Sequence, residues 1–257
     1  SYEFYTIDED LSIDVKSIHK RDYDVLYVIN YFGAYTDLSS IVFDSKILLE
    51  DNVFLCDFEN VHHAANWYAF NSFRKISPLS EGSMVKTNLE IDDSLIIQED
   101  ASFSLLKREA KNIKYKYVNH GLFTQEQYLS AFSQAEKLLD AQNKIHRMSS
   151  SALAQLLNIH DSKEQERSKE RYKKVCKMFP ANVIELNASF YSVAVLQIKN
   201  RDEVRDKLRK KGVFLAVHWP KSTQNNALYK NIISLPLFDI YADIEFEHML
   251  NELKAVL

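Results

Sequence analysis

The stretch Ile47-Leu48-Leu49-Glu50-Asp51 is a short apolar run that ends in two adjacent carboxylates. A run of this length is typical of a strand that is buried on both faces of a parallel sheet. A similar run, Val25 to Ile29, precedes it, and another, Trp67 to Phe70, follows it. Short helix-like or turn-like stretches separate the runs, which is the pattern of parallel strands connected by crossovers. The sequence therefore predicts an α/β sheet in this part of the chain.

The remainder of the chain changes character twice. Gly82 with Met84-Val85 predicts a turn into a fourth strand. Residues 103–171 favour helix, with a break at Gly121 and a new start at Thr124-Gln125-Glu126. The C-terminal part alternates strand and helix patterns: a strand at 191–198, a helix at 201–210 closed by Gly212, a strand at 213–217 and a helix at 243–256. We therefore predict an α/β part at 1–105, a helical connector at 106–165 and an α+β part at 166–257.

Composition excludes several classes of protein. The chain has 257 residues, 46% of them hydrophobic, which is enough to bury a sizeable core. A net charge of -4 offers no basic field, so nucleic acid is not an expected partner. With only Cys56 and Cys176, we expect neither a disulfide framework nor a cysteine zinc site. No apolar run reaches the roughly 20 residues that cross a bilayer, and the N-terminus lacks a signal-peptide pattern, so we expect no membrane association and a cytoplasmic location.

Two residues follow predicted strands, where open α/β sheets bind ligands. Asp51 either caps the segment after its strand or holds a ligand at the sheet edge. Lys75 lies in Ser72-Phe73-Arg74-Lys75, beside the cationic Arg74. Partial burial and that neighbour would lower the pKa of the lysine and make it nucleophilic, whereas the alternative is a solvated basic pair. The two positions together, rather than either one alone, predict a site.

Three further polar motifs have ordinary structural explanations. Adjacent His62-His63 would point to opposite faces of an extended segment, so we predict a surface pair and no metal site. The run 163–174 has acids and bases at helical spacing, which predicts a solvated helix face. His218, before Trp219-Pro220, is either a turn residue that ends a strand or a site residue.

Six short motifs occur in a characteristic order along nearly the whole chain. They are Tyr31-Phe32-Gly33, Leu49-Glu50-Asp51, Ser72-Phe73-Arg74-Lys75 followed by Pro78 and Glu81-Gly82, Arg147-Met148-Ser149, Gly212 to Pro220, and Ser234-Leu235-Pro236-Leu237. This order resembles the DegT/DnrJ/StrS family of sugar-nucleotide aminotransferases, which depend on pyridoxal 5'-phosphate (PLP) and have the fold type I architecture of aspartate aminotransferase. The resemblance implies an α/β portion of the large domain followed by a C-terminal α+β small domain.

The resemblance also assigns roles to individual residues. By position, Lys75 resembles the lysine that forms a Schiff base with PLP and moves the proton during transamination. Asp51 resembles the aspartate that keeps the pyridine nitrogen protonated, and Ser72 a serine that binds the cofactor phosphate. Phe54 stands where the family has glutamine or histidine beside the PLP ring, and it can stack on the ring but cannot hydrogen-bond. His218 and Arg147 are implied to lie on the substrate side of the site.

Two functional hypotheses are favoured at this point, and a third, a PLP enzyme of the dehydratase branch that would bind the cofactor without forming a lysine adduct, stays open. The first is a PLP-dependent aminotransferase that transfers an amino group, with glutamate as the expected donor, to a nucleotide-linked keto sugar for surface polysaccharide; the resemblance implies a homodimer. Sugar dehydratases of this kind carry histidine in place of the lysine, so Lys75 favours transamination. The second is a non-catalytic relative that serves as a binding or assembly module. It is kept because the sequence resembles the family without the N-terminal part of the large domain, where the turn that cradles the PLP phosphate lies.

Overall fold

Among the described residues, four strands form the sheet that the first part of the sequence predicts. The computed structural model describes residues 1–19, 22–41, 46–58, 66–159, 162–219, 228–237 and 242–257. The strands are β1 (Val25–Ile29), β2 (Ile47–Asp51), β3 (Asn66–Phe70) and β4 (Val85–Thr87), in the order β1-β2-β3-β4. The first three are parallel and β4 is antiparallel to β3. The predicted parallel strands and the turn at Gly82 into a fourth strand are confirmed.

The two faces of this sheet differ in burial. Side chains on one face, such as Val28, Leu48 and Ala69, are completely buried. On the other face Tyr27 is 41% exposed and Val85 is 50% exposed. The apolar runs therefore mark strands correctly, but burial on both faces is not complete in this chain.

A row of three buried asparagines directly follows the parallel strands. Asn30, Asn52 and Asn71 come one residue after β1, β2 and β3, and each is at most 1% exposed. The side-chain amide of Asn30 donates to the side-chain oxygen of Asn52 at 2.6 Å. The Asn71 amide donates to the backbone oxygens of residues 55 and 56, and its own oxygen accepts from the backbone of residue 84. These bonds fix the loops at the carboxyl edge of the sheet.

Helices surround the sheets and connect the two ends of the chain. They are α1 (Val15–His19), α2 (Phe73–Ile76), α3 (Ser102–His120), α4 (Gln125–Ala141), α5 (Ser150–Ile159), α6 (Ser162–Met178), α7 (Arg201–Lys210), α8 (Leu228–Asn231) and α9 (Asp243–Val256). The mostly helical middle is confirmed, and α3 ends at Gly121 as predicted. Thr124 caps α4 through a reciprocal capping box with Gln127, which explains the new helix start.

Five shorter strands complete the described structure. A parallel pair, β5 (Ile96–Ile97) and β6 (Ile145–His146), lies beside the helical middle. An antiparallel sheet contains β7 (Val183–Ile184), β8 (Val193–Gln197) and β9 (Ile232–Pro236), and its core includes Leu196, Leu235 and Phe246 of α9. The division at residues 105 and 165 stays a prediction.

Two predictions for the C-terminal part are wrong. Residues 213–217 do not form a strand, because only Ala216 pairs with the sheet, through a single bridge to Ser234 of β9. Arg171 does not lie on a solvated face of α6, since its side chain is 5% exposed. It donates to the Leu237 carbonyl oxygen at 3.0 Å and to Asp243 at 2.8 Å. The spacing of charges along α6 does not predict that α9 packs over this face.

Within the described ranges, no helix is both long and apolar enough to span a membrane.

Candidate active site

Asp51 lies at the carboxyl edge of the sheet and is held there by two hydrogen bonds. The Tyr27 hydroxyl donates to Asp51 Oδ2 at 2.7 Å, and the Val53 backbone N–H donates to Oδ1 at 3.1 Å. Burial and the neighbouring carboxylate raise the pKa of Tyr27, so this phenol stays protonated and remains a donor. Each carboxylate oxygen has a second lone pair, and Asp51 can therefore accept a further hydrogen bond.

Lys75 lies on α2, the single helical turn that begins three residues after β3. The Phe73 N–H donates to the Gly82 carbonyl at 3.1 Å, which ties α2 to the turn before β4. The Lys75 side chain is exposed, yet desolvation by the surrounding protein and the charges of Arg74 and Lys107 lower its pKa, outweighing the opposing charge of Glu136. Water therefore reaches the Lys75 side chain, while the protein atoms around it still lower its pKa.

His218 lies within electrostatic reach of Lys75. Its side chain is also exposed, and its pKa is lowered by desolvation and then by the charge of Lys75. The ring Nε2 lies 2.8 Å from the hydroxyl oxygen of Ser234 on β9. The histidine therefore brings the C-terminal sheet into electrostatic reach of the lysine that follows β3.

An aromatic cluster surrounds His218. It consists of Tyr31, Phe32, Phe54, His218 and Trp219. The centroid of the His218 ring lies 5.3 Å from that of Phe32 and 5.4 Å from that of Phe54, and the Tyr31 and Trp219 centroids are 5.0 Å apart. Burial raises the pKa of Tyr31, and the negative charge of Asp51 adds a smaller contribution. The cluster therefore lies within electrostatic reach of Asp51 through Tyr31 and contains His218.

Sequence reasoning missed Tyr31 and Phe32 as parts of the site. Both lie in the short turn after β1, at the same sheet edge as Asp51. Their position directly after a predicted strand could have indicated that they belong to the site. Phe32 adopts a left-handed conformation with φ of 57°, which costs a non-glycine residue about 1 kcal/mol or more. This conformation accompanies its close contacts with both Phe54 and His218.

Arg147 is connected to the site only indirectly. Its side chain is exposed, and its backbone N–H donates to the Ile97 oxygen at 3.1 Å. The next residue, Met148, packs against Gly82, where an added Cβ would lie 2.7 Å from the sulfur. This segment therefore supports the turn behind Lys75, and a role of Arg147 in substrate binding stays a prediction.

The structure describes most of the predicted positions, and a few lie outside the described residues. Asp51 and Phe70 are paired in neighbouring strands, and Lys75 follows five residues later, so the backbone places the two site residues at one sheet edge. That their side chains converge on one ligand stays a prediction. His62-His63 and Pro220 lie outside the described residues. Within the described residues, no group of three or more His, Cys, Asp or Glu side chains could hold a metal ion.

Comparison with solved structures shows that the chain has the fold of PLP-dependent aminotransferases, as the resemblance implies. A DegT/DnrJ/EryC1/StrS aminotransferase from Brucella abortus matches with a TM-score of 0.57 at 14% identity, covering 98% of this chain and 72% of its own. A sugar aminotransferase from Micromonospora echinospora matches with a TM-score of 0.59 at 11% identity, covering 98% and 73%.

A third neighbour from Streptococcus pneumoniae, solved in its PLP form, has a TM-score of 0.57 at 13% identity and covers 95% of this chain and 71% of its own. More than a quarter of each of these neighbours thus lies outside the match. No family model and no curated protein matches the sequence.

Proposed function

We propose that this protein is a PLP-dependent aminotransferase acting on a nucleotide-linked keto sugar, with glutamate as the amino donor. One observation carries the proposal: Lys75 is an exposed lysine with a lowered pKa, within electrostatic reach of His218, at the sheet edge where Asp51 ends β2. We propose that these residues line one cleft. A lysine with these properties is the residue that covalent catalysis on a carbonyl group requires. The shared fold supports PLP as the cofactor.

The residues present fit PLP at three points. Asp51 offers a carboxylate to the pyridine nitrogen, and Lys75 offers an amine to the aldehyde carbon. The Ser72 hydroxyl makes no capping hydrogen bond to α2 in the described structure, so it is available to the phosphate. The Phe54 and Phe32 rings, whose centroids are 5.5 Å apart, offer an apolar wall that suits a flat heterocycle.

PLP, when bound, would supply a ring that accepts the electron pair of a substrate carbanion. The protein's own residues have separate tasks. Because its pKa is lowered, a larger fraction of Lys75 is neutral near physiological pH, and only the neutral amine is a nucleophile. Lys75 Nζ could then move a proton between the substrate carbon and C4′ of the cofactor. Tyr27 and the Val53 N–H orient the Asp51 carboxylate, which would keep the ring nitrogen protonated when PLP is bound.

Support for a sugar substrate is of a different kind. The neighbours from Brucella abortus and Micromonospora echinospora are described as an aminotransferase of the DegT type and a sugar aminotransferase. In this chain Trp219 and His218 offer a flat ring and a hydrogen-bonding ring on the C-terminal side of the cleft. We propose that this side contacts the sugar nucleotide and that a homodimer completes the site, with Arg147 as a further contact.

A non-catalytic relative is the second candidate, and one feature of the structure favours it. None of the four glycines lies in a turn that connects a described strand of the parallel sheet to a long helix. Gly121 and Gly212 follow the ends of α3 and α7, while Gly33 and Gly82 lie in turns next to the sheet. With Ser72 alone, the phosphate would be held by a single hydroxyl of the described residues, and PLP binding would be weak.

Trapping PLP on the protein distinguishes the two candidates. The purified chain is incubated with PLP, reduced with borohydride and digested, and the modified peptide is identified by mass spectrometry. We expect PLP on Lys75 and none on the Lys75→Ala variant. Lys111→Ala is the matched control, because Lys111 is a second desolvated lysine whose pKa is lowered to about 8. Labelling of Lys111 or of scattered lysines, with Lys75 unmodified, would support the non-catalytic candidate.

The amino-transfer step has its own readout. After loading with PLP and removal of the excess, addition of glutamate should release 2-oxoglutarate in an amount equal to the bound cofactor. Release without any sugar acceptor would establish the donor half of the reaction. If PLP is trapped on Lys75 but no 2-oxoglutarate forms, glutamate is the wrong donor and other amino acids are compared in the same assay.

A further inference from the structure

Charged residues from three helices meet beside Lys75. Arg74 precedes it on α2, Lys107 comes from α3 and Glu136 comes from α4. Glu136 pairs with both cations: it accepts a hydrogen bond from Lys107 Nζ, and its Oε1 lies 3.4 Å from Arg74 Nη1. One carboxylate thus holds two cations next to a lysine that is itself a cation when protonated.

These cations are fixed in place by aromatic rings as well as by Glu136. The Arg74 guanidinium lies 5.0 Å from the centre of the Phe103 ring, and Lys107 Nζ lies 4.9 Å from that of Phe132. The Arg74 and Lys107 side chains are 21% and 14% exposed. Charges that water screens so little act on their neighbours over several ångströms.

We propose that Arg74, Lys107 and Glu136 form a charge cluster of positioning residues that, in addition to the larger effect of burial, favours the neutral form of the Lys75 amine. Arg74 and Lys107 repel a proton from that amine, and Glu136 both attracts the proton and keeps the two cations in place. The excess of positive charge favours the neutral amine. This inference rests on the proposed function for the use of the neutral amine, but the electrostatic effect itself does not depend on PLP.

The other charged groups near Lys75 do not change this balance. His218 faces the amine from the C-terminal part of the chain, and its pKa is lowered, so its ring is neutral in the alkaline range where lysines titrate. Lys111 lies one helical turn after Lys107 on α3, and its Nζ donates to the backbone oxygens of Pro78 and Leu79 at 2.8 and 2.9 Å. The three residues of the charge cluster are therefore the groups to vary.

Competitive labelling of lysines in the protein without PLP tests the proposal. Isotope-labelled acetic anhydride is added at a series of pH values from about 7 to 11, which brackets the ordinary lysine pKa. Mass spectrometry of the Lys75 peptide then gives the pH at which this amine is half deprotonated. Far-UV circular dichroism of each variant shows that the fold is intact.

The two kinds of variant should shift this midpoint in opposite directions. Glu136→Gln removes the negative charge, so the acid dissociation constant of Lys75 should rise by about two- to fivefold. Lys107→Gln and Arg74→Gln each remove a positive charge, so the constant should fall by a similar factor. The double variant with Glu136→Gln and Lys107→Gln should lie close to the unchanged protein.

A structural loosening of the helices would move all single variants in the same direction, toward an ordinary exposed lysine. Shifts of the same sign, or no shift in any variant, would overturn the proposal. Glu136→Gln is the variant that separates the two explanations, because loosening and the loss of a positive charge would both lower the dissociation constant. If Glu136→Gln does not fold, Glu136→Ser takes its place, with the same predicted sign. Opposite shifts together with a failure to trap PLP on Lys75 would leave the charge cluster standing and reject only the proposed enzyme.

Discussion

Replacing Asn71 by leucine should destabilise the edge of the sheet on which the candidate site is built. Asn71 directly follows β3, four residues before Lys75, and is 1% exposed. Its amide donates to the Leu55 and Cys56 oxygens at 3.0 and 3.2 Å, and its own oxygen accepts from the Met84 N–H at 2.8 Å. Leucine has the same number and branching of side-chain heavy atoms but can make none of these three bonds.

The magnitude follows from the groups that lose their partners. A buried backbone group without a partner costs about 1–3 kcal/mol. The Leu55 and Cys56 oxygens and the Met84 N–H would each lose the Asn71 side chain, but partial access to water reduces the cost at Met84. Burying the apolar side chain returns about 1–2 kcal/mol. We therefore expect the free energy of unfolding to fall by about 2–4 kcal/mol.

Urea denaturation followed by circular dichroism measures this change. Asn112→Leu is the matched control, because Asn112 is exposed on α3, and it should change the free energy of unfolding by no more than about 0.5 kcal/mol. Hydrogen exchange should show faster exchange of the β3 and β4 amides in Asn71→Leu alone. A loss below about 1 kcal/mol, equal to that of the control, would refute the assignment of Asn71 as the link between these loops.

Three further predictions concern stability elsewhere. Arg171→Ala should lower the free energy of unfolding by about 2–4 kcal/mol in urea, because a buried backbone oxygen loses its donor and a cation–aromatic contact is lost; an effect below about 0.5 kcal/mol would contradict it. Hydrogen bonds and charges from two arginines lower the pKa of Asp243 from 3.8 to about 2, so its stabilising effect is complete above pH 4 and is lost as the pH falls through 2. Thermal melting should therefore separate the unchanged protein from Asp243→Asn at pH 6 and not near pH 2; a constant difference would refute this. Gly82→Ala should cost more than Gly121→Ala in urea denaturation, since both glycines have positive φ but only the Cβ at residue 82 meets a neighbour, Met148 at 2.7 Å; equal costs would show that the contact is relieved freely.

The sequence predicts the N-terminal sheet well because its signals are local. Apolar runs of about five residues, each followed by a polar residue, identify β1, β2 and β3, and Asp51 and Lys75 then fall at strand ends. The helix α9 is predicted at its observed ends because an amphipathic pattern is also a local property. The local sequence pattern alone is therefore sufficient to predict these strands and this helix.

Contacts between distant segments could not be predicted in this way. Glu136 lies 62 residues after its partner Arg74, and helical periodicity says which residues share a face of α4 but not what that face touches. Arg171 was expected in solvent for the same reason, although α9 covers it. Buried and exposed side chains alternate over residues 213–216, as they do in a strand. A strand also needs hydrogen bonds to a neighbouring strand, and only Ala216 forms such a bridge.

A crystal structure of the protein soaked with PLP shows whether Asp51 and Lys75 hold the same cofactor. We expect electron density that joins Lys75 Nζ to the cofactor, with the pyridine nitrogen within hydrogen-bonding distance of an Asp51 carboxylate oxygen. Density for PLP at another place on the protein, or a cofactor that contacts one of these two residues and leaves the other facing away from the cleft, would contradict it.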